Sequence, residues 1–234
     1  MITLFQFKPA LGLPNASPFC MKMETYLRMA NMDYSTTCIN NPAKGPKGKL
    51  PYIEDKGEVI ADTSFIIEYL ENTCNHDLDS SLDSTEKAVS DAFVRMLEEF
   101  FYWTILYSRW IDNRYWPDAR NIFFGDFPPL VKNIVSNILR KQAKRRLYEQ
   151  GIGRHTSGQI YQIAESNLVT LSDYLDDKPY FMGDEPTKLD ATAVLRAITW
   201  LNLTTHRKEK SISSSCLRCN SGVNSTSEVS HFSG

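Results

Sequence analysis

The chain has 234 residues, of which 42% are apolar and 23% are charged, and its formal net charge is −2 at pH 7. That length suffices for one large domain or two small ones with a substantial core, and the composition is that of an ordinary soluble globular protein. The near-neutral charge gives no electrostatic basis for binding nucleic acid or an anionic membrane, and no apolar run is long enough to cross a bilayer.

The first predicted strand, residues 2–7, leads into a helix whose start is marked by Ser17 and Pro18. Serine is a preferred N-cap, and proline suits the first helical position because its φ is already helical and it leaves no N–H unpaired. A small polar side chain beside the unpaired N–H groups of a helix start lies where anions, including thiolates, are stabilised. Taken alone, Ser17-Pro18 indicates only a well-capped helix.

Residues 34–39 predict a second strand, and a polar loop rich in Gly and Pro follows over residues 40–49. Residues 50–54 and 58–60 predict a hairpin, and an apolar-periodic helix begins near residue 65. A strand-helix-strand start followed by a hairpin and a helix predicts a mixed sheet with helices covering both faces.

Pro51 begins the third predicted strand, where a proline cannot donate a ladder hydrogen bond and therefore needs a structural reason. A cis peptide bond would turn the backbone of Leu50 outward to bind an extended peptide. An ordinary trans proline at a strand start is the commoner arrangement, and the residues around Pro51 leave both open.

From residue 83 onward the sequence predicts helices. Asp83 and Glu86 are spaced as a capping box, and apolar residues then recur every three or four positions as far as Phe100. An aromatic run follows, which includes Tyr107 and Trp110. Aromatic residues at helical spacing more often pack in a core than line a ligand site.

The remaining helices carry their own signals. One is predicted to have an apolar face made of Val131, Ile134, Val135, Ile138 and Leu139. Its carboxyl end, from Arg140 to Arg146, is cationic as helix ends often are, so this cluster is interpreted as a solvated terminus. Thr156-x-x-Gln159 caps the next helix, and Thr187 and Asp190 form a further capping box whose role is in folding.

Three motifs together resemble the thioredoxin-like domain of the glutathione transferases: Ser17-Pro18-Phe19-Cys20, Gly48-Lys49-Leu50-Pro51 and Ile60-Ala-Asp62-Thr63-Ser64. The first is similar to the active-site start of the serine-type transferases, whereas omega-like members have cysteine at the position of Ser17. The resemblance covers about residues 1–200 and is nearest to the failed-axon-connections and metaxin-like branch with its bacterial relatives. It implies an α/β thioredoxin-like amino-terminal domain followed by an all-α carboxyl-terminal domain.

The resemblance also implies the domain boundaries. Residues 1–75 would form the glutathione-binding domain and residues 76–202 the α-helical domain. Residues 203–234 are polar and Ser-rich, and we predict that this tail is disordered and replaces the helices with which the family continues. Cys216 and Cys219 lie in it as a single C-x-x-C without a second ligand pair, which does not support a metal site.

The resemblance gives the first helix and the third strand their roles in the site. Ser17 would donate its hydroxyl hydrogen bond to the glutathione sulfur and, with the helix start, favour the thiolate that attacks electrophiles. Leu50, next to Pro51, would pair through its backbone with the cysteinyl part of glutathione. Cys20 has no leading cysteine partner, so thiol–disulfide reduction through it is a weak third interpretation, and a buried apolar role is expected.

The resemblance also implies residues that would bind the γ-glutamyl and glycyl ends of glutathione. Asp62 and Thr63 would hold the γ-glutamyl ammonium and carboxylate, because a carboxylate is favoured at a helix start. Lys49 is the candidate for the glycyl carboxylate, with Lys44 and Lys47 as alternatives and a merely solvated loop as the simpler interpretation.

The implied function is glutathione transferase activity, in which glutathione is the co-substrate, no metal takes part, and the second substrate is a small apolar electrophile. Tyr107 and Trp110 are candidates for the pocket of that electrophile. The resemblance further implies a homodimer and a role in detoxification, and the odd, scattered cysteines predict free thiols and a cytoplasmic location. The alternative is a non-catalytic, metaxin-like binding or sorting module that keeps the fold.

Overall fold

The computed structural model describes residues 1–10, 13–39, 41–74 and 76–193. The predicted tail, its two cysteines and the boundary at residue 202 lie outside the described residues. The strands are β1 Ile2–Gln6, β2 Tyr34–Cys38, β3 Tyr52–Asp55 and β4 Glu58–Ala61. The α-helices are α1 Pro18–Met29, α2 Thr63–Cys74, α3 Ser84–Arg95, α4 Tyr102–Trp110, α5 Trp116–Phe124, α6 Pro129–Gln150 and α7 Ser157–Leu175.

The strands form one mixed sheet in the order β2-β1-β3-β4, which confirms the predicted mixed sheet. β1 runs parallel to β2 and antiparallel to β3, and β3 runs antiparallel to β4. Phe5, Tyr52 and Ala61 lie side by side across β1, β3 and β4. The register therefore brings the end of β1, the start of β3 and the end of β4 to one end of the sheet.

The helices that follow β1 and β4 do not cover both faces of the sheet, contrary to the prediction from the sequence. α1 and α2 pack on the same face, where Leu4 and Ile53 contribute to one buried cluster with Leu27 and Ile66. The segment between β2 and β3 has a 3-10 turn at Pro42–Lys44 instead of a second covering helix. This loop is too short and too rich in Gly and Pro to make a helix, so the other face is partly open.

The second half is mostly helical, as predicted. α3, a π-helical segment Met96–Phe101 and α4 follow one another directly and pack against α7. Their shared core contains Leu97, Phe101, Ile105, Ala164, Leu168, Leu171 and Leu189. Within the described residues, none of the helices combines the length and the apolar character needed to span a membrane.

α6 is oriented differently from the prediction. Val131, Ile134 and Ile138 are 40%, 53% and 50% exposed, whereas Ser136, Ala143 and Leu147 are buried. The first buried residue of α6, Ser136, is polar. Its hydroxyl accepts a hydrogen bond from Arg120 of α5 at 2.9 Å, which satisfies it in the interior. The predicted apolar face is therefore largely on the exposed side of the helix.

Candidate functional site

The candidate binding segments leave the sheet at the same end. Ser17 follows β1, Leu50 and Pro51 precede β3, and Asp62 and Thr63 follow β4. Neighbouring strands lie about 4.8 Å apart, so the step from β1 across β3 to β4 is about 10 Å. The loop with Lys49 begins and ends at this same end, because β2 is parallel to β1 and β3 is antiparallel to it.

Ser17 is the N-cap of α1, with φ −103° and ψ 123°, and its side chain is partly exposed. Its Oγ accepts a hydrogen bond from the Cys20 N–H at 3.4 Å, and the first turn contains no acidic residue. That bond is long for a cap, and it uses a lone pair of the hydroxyl rather than its proton. The Ser17 O–H can therefore donate to a ligand at the helix start.

The peptide unit before Ser17 is held on both sides. Its N–H donates to Oδ1 of Asn15 at 2.9 Å, and its carbonyl, that of Ala16, accepts from Nη1 of Arg109 at 2.7 Å. Asn15 and Arg109 are both buried, and Arg109 comes from α4 in the helical half.

Neither Asn15 nor Arg109 is among the site residues predicted from the sequence. An Asn two positions before Ser17 is a pattern for a side-chain-to-backbone turn, so the sequence contains a signal for Asn15. Nothing local distinguishes Arg109 from other cations, because its partner lies 93 residues away in the chain.

Asn15 belongs to a buried polar chain that reaches the surface. Its Nδ2 donates to Oε1 of Gln6 at 3.2 Å, and Nε2 of Gln6 donates to Oε2 of Glu24 at 2.9 Å. Burial tends to raise the pKa of Glu24, but hydrogen bonds from Gln6 and Arg28 outweigh it, and the net pKa is lowered. Glu24 is thus a stable anionic acceptor, which fixes the amide orientations of Gln6 and Asn15.

At the start of β3 the structure has the less common of the two proline arrangements that the sequence left open. The Leu50–Pro51 peptide bond is cis, and both residues are buried. Lys44, Lys47 and Lys49 are exposed, and Nζ of Lys47 lies 4.4 Å from the centre of the Phe65 ring. Lys49 makes no ion pair with the residues that the structure describes, so its charge is free to meet a carboxylate.

Asp62 and Thr63 form the start of α2. Asp62 has a positive φ of 87°, and its Oδ1 accepts a hydrogen bond from the Ser64 N–H at 3.2 Å. Its side chain is exposed, whereas Thr63 is buried. A non-glycine residue in this sparsely populated region of φ is costly, and such residues concentrate at functional sites.

Cys20 is fully buried, and desolvation raises the pKa of its thiol to about 11. A thiol with that pKa is protonated at neutral pH and is a poor nucleophile. The expected buried apolar role of Cys20 is confirmed, and its burial argues against disulfide reduction.

Tyr107 and Trp110 pack within the helical half. Trp110 stacks on Phe123 at 5.7 Å between ring centres, and Tyr107 meets Tyr161 edge to face at 6.3 Å. Both side chains are half-buried. These contacts favour core packing over a pocket role, and α4 reaches α1 instead through Arg109 and through Tyr102, whose ring lies 5.3 Å from that of Phe19.

No cluster of three or more His, Cys, Asp or Glu side chains suited to a metal ion occurs among the described residues. The candidate site itself is made of hydroxyl, amide, carboxylate and ammonium groups around two helix starts. Such groups suit a zwitterionic peptide with a thiol.

Comparison with known proteins identifies the family. Residues 18–115 match the glutathione S-transferase N-terminal domain, and residues 164–217 match the glutathione S-transferase C-terminal domain. The isoprene-epoxide–glutathione S-transferase of Rhodococcus sp. (strain AD45) is 32% identical over 82% of this chain and 83% of its own length. This chain belongs to the glutathione S-transferase family.

Two other relatives come from animals. The failed axon connections protein of Drosophila melanogaster is 36% identical over 86% of this chain, and human metaxin-2 is 24% identical over 73% of it. The chain spans 51% of the first protein and 65% of the second. These relatives confirm the branch that the motifs indicated.

The fold has a solved counterpart in a glutathione S-transferase of Methylobacillus flagellatus KT with glutathione bound. The TM-score is 0.58 at 14% identity, with 95% of this chain and 94% of that chain covered. At this identity the similarity concerns the fold alone.

Proposed function

We propose that this chain binds glutathione at the shared end of β1, β3 and β4 and conjugates its thiolate to a small apolar electrophile. The observation that carries the proposal is the Ser17 helix start, where a partly exposed hydroxyl with a proton to donate lies at the positive end of the α1 dipole. Relatives with this family's transferase name, such as the isoprene-epoxide enzyme, support the same reaction class.

The dimensions of the site fit the tripeptide. Three extended residues span about 10 Å, which equals two strand spacings. With the thiol at Ser17, the γ-glutamyl end would reach Asp62 and Thr63, and the central amide would meet the Leu50 backbone. Asp62 would pair with the ammonium, the start of α2 with the α-carboxylate, and Lys49 with the glycyl carboxylate.

The chemistry needs only activation of the thiol. Ser17 donates its O–H to the sulfur, and the dipole of α1 adds partial positive charge, so that the thiol loses its proton to solvent at neutral pH. The sulfur then forms a bond to an electrophilic carbon. A halide departs with the bonding pair, or an epoxide oxygen keeps that pair and takes a proton from water.

The arrangement of the chain is part of the proposal. We take residues 1–75 as the glutathione-binding domain and residues 76–202 as the helical domain. The free thiols of Cys20, Cys38 and Cys74 support a reducing compartment, and we propose a cytoplasmic homodimer. Sedimentation equilibrium of the purified chain measures the second point, and a monomer at micromolar concentration would contradict it.

A second candidate function is a non-catalytic binding module that keeps the fold. The similarity to the failed axon connections protein and to metaxin-2 favours it, because neither bears a transferase name. The two candidates differ in whether bound glutathione reacts.

The test combines binding with turnover. Calorimetric titration of the full chain with glutathione measures affinity, and absorbance assays with chlorodinitrobenzene and with an alkyl epoxide measure conjugation. S-methylglutathione, which has no ionisable thiol, is the control ligand. Binding with turnover supports the transferase, binding without turnover supports the second candidate, and the absence of both overturns the proposed glutathione site.

A further inference from the structure

We propose that Asn15 is a positioning residue that holds the Ser17 hydroxyl in place, and that half-buried Glu24 sets the direction of the Asn15 amide through Gln6. This inference rests on the proposed function of Ser17. Asn15 is 0% exposed and lies between the end of β1 and the start of α1. Its effect on the reaction therefore passes through the serine and not through a contact of its own with substrate.

The backbone on each side of the Ser17 Cα is held by a hydrogen bond. Before it, the Ser17 N–H donates to Oδ1 of Asn15 at 2.9 Å, and after it, the Ser17 carbonyl accepts from the Met21 N–H at 3.0 Å. Each peptide unit is planar and rigid, so holding the two units that meet at this Cα fixes the direction of its Cα–Cβ bond. The bond from the Cys20 N–H to Oγ at 3.4 Å then restricts the rotation that remains.

Asn15 also attaches this helix start to the sheet. Its Nδ2 donates to the Phe7 carbonyl at 2.6 Å and to Oε1 of Gln6 at 3.2 Å. Gln6 is the last residue of β1, which pairs with β3, and β3 follows the Leu50 backbone at the candidate glutathione site. These bonds hold Ser17 in a fixed place relative to that backbone. A displacement of about 1 Å between reacting groups can lower a rate about 100-fold, so a fixed place matters for turnover.

The direction of the Asn15 amide follows from the charge of Glu24. Burial works to raise the pKa of Glu24, but hydrogen bonds from Gln6 and Arg28 lower it overall, so this side chain is a carboxylate that only accepts. Nε2 of Gln6 therefore faces Glu24 at 2.9 Å, and Oε1 of Gln6 faces Nδ2 of Asn15. Both N–H bonds of that Nδ2 are used, which leaves Oδ1 to face the Ser17 N–H.

The opposite orientation is excluded by the same contacts. A reversed Asn15 amide would place its NH₂ group against the Ser17 N–H, and its oxygen against the oxygens of Gln6 and Phe7. Buried donors and acceptors without partners are costly, so the orientation that serves Ser17 is strongly favoured. Glu24 thus acts on the helix start from outside the candidate site.

Two variants test the two ends of this chain of contacts. Asn15→Ala removes every bond of the side chain, and Glu24→Gln replaces the carboxylate with an amide that fits either way round. Asn167→Ala is the matched control for the first, because Asn167 is 7% exposed and its Nδ2 donates to a carbonyl of α7 at 2.7 Å. Arg28→Met is the control for the second, since it removes the exposed ion-pair partner of Glu24 and leaves the bond to Gln6.

We expect Asn15→Ala to lower kcat for conjugation roughly 10- to 100-fold, with KM for glutathione within about threefold of the parent, because the serine is displaced while the groups at α2 are not. Glu24→Gln should lower kcat roughly 3- to 10-fold. The two controls should leave kcat within about twofold. A loss of kcat in Asn167→Ala as large as that in Asn15→Ala would show a general effect on the fold and would overturn the proposal.

The decisive measurement repeats Asn15→Ala in a Ser17→Ala background. If Asn15 acts through the Ser17 hydroxyl, its replacement should change kcat by less than about twofold once that hydroxyl is gone. A merely structural residue would lower kcat by the same factor in both backgrounds, which would refute the positioning role. Glu24→Gln, at a half-buried position, takes the place of Asn15→Ala in both backgrounds if that variant does not fold.

A readout without glutathione separates this inference from the proposed function. Amide hydrogen exchange at Ser17, measured relative to Met21 in α1, should be faster in Asn15→Ala than in the parent, and likewise in Glu24→Gln. Unchanged exchange in the folded variants would contradict the inference even in an active enzyme. If the parent chain binds no glutathione, the proposed function fails, while the exchange rates still decide whether Asn15 holds the Ser17 peptide.

Discussion

The helix starts at the candidate site differ from two closed helix starts in the helical half, those of α3 and α7. α1 is capped by one hydrogen bond of 3.4 Å to Ser17, and α2 by one of 3.2 Å to Asp62. Neither has the returning bond of a closed capping box. Both therefore keep bonding capacity on the cap side chain at the positive end of a helix, where a ligand can use it.

Two helix starts away from the site are closed, whereas α5 and α6 begin without a side-chain cap. α3 and α7 begin with reciprocal capping boxes, and before the helical turns from residue 188 a buried carboxylate accepts from both the N–H and the hydroxyl of Thr187. The residue pairs are Asp83 with Glu86, Thr156 with Gln159, and Thr187 with Asp190. A closed box stabilises the fold, whereas an open one leaves bonding capacity for chemistry.

The sharpest test of this difference is Ser17→Ala. Losing the donor to the thiolate should lower kcat by about 10²- to 10³-fold, whereas losing a 3.4 Å cap should cost under about 1 kcal/mol of unfolding free energy. Conjugation kinetics and urea unfolding measure the two effects. Thr156→Ala is the control, because it opens a closed box far from the site and should alter stability alone. Unchanged turnover in Ser17→Ala would remove Ser17 from its proposed role.

Asp190→Ala should have the opposite pattern, with a large loss of stability from a residue outside the candidate site. Its carboxylate accepts from the Phe181 N–H at 2.9 Å and from the N–H and hydroxyl of Thr187 at 2.8 Å. Removal leaves buried donors unpaired, so we expect a loss of about 3 kcal/mol or more in urea unfolding. Asp83→Ala, at an exposed box, should cost only about 1 kcal/mol. Equal losses in the two variants would contradict the distinction between the boxes.

Asp62→Asn tests the second open helix start. Asparagine tolerates a positive φ, so the backbone should stay in place while the charge that pairs with the γ-glutamyl ammonium is lost. The Kd for glutathione should rise roughly 10- to 100-fold in calorimetry, with little change in kcat at saturation. Asp33→Asn, at the opposite end of the sheet, is the control. An unchanged Kd would remove Asp62 from the binding site.

Asp112 is a carboxylate whose hydrogen bonds hold a loop in place and are not expected to contact a ligand, so its removal should change stability. Burial tends to raise its pKa, but hydrogen bonds from Arg114 and the Tyr161 hydroxyl lower the pKa to about 2. Because the folded pKa is below the ordinary value of 3.8, this stability is present above pH 3.8 and is lost as the pH falls towards 2. It amounts to about 2 kcal/mol.

Urea unfolding of the parent and of Asp112→Asn at neutral and acidic pH measures this contribution. The variant should be less stable at neutral pH, and the difference should shrink on acidification. A difference that stays constant with pH would show that the Asp112 charge contributes nothing.

Cys20→Ala should have the smallest effect. A buried thiol with a pKa of about 11 takes no part in the reaction, so turnover should stay within about twofold. Alkylation of the native protein, mapped by mass spectrometry, should modify exposed Cys38 and spare Cys20. Loss of activity in Cys20→Ala would instead favour thiol–disulfide chemistry.

Sequence reasoning succeeded where the signal is local. The Ser17-Pro18 helix start, the β3–β4 hairpin and the closed capping boxes each depend on neighbouring residues, and the structure confirms them. The mixed sheet followed from the order of the elements.

Long-range packing could not be read in this way. α6 was expected to bury its most apolar side, yet its packing against α4 and α5 depends on small and polar residues such as Ser136 and Ala143. Arg109 contacts a backbone atom in a distant loop, and no periodicity records such a contact. The prediction that helices cover both faces of the sheet was wrong for the same reason. The side of the sheet on which a helix packs depends on long-range contacts, and α1 and α2 lie on the same side.

The buried pair of Lys22 and Glu98 has an evolutionary consequence. It joins α1 to the π-helical segment at 2.9 Å with both side chains almost fully enclosed. Losing either partner would strand a charge at a cost of about 3–5 kcal/mol, whereas replacing both with apolar residues is far less costly. Descendants of this chain should therefore change positions 22 and 98 together or not at all, so that the two halves of the protein are inherited as a matched set.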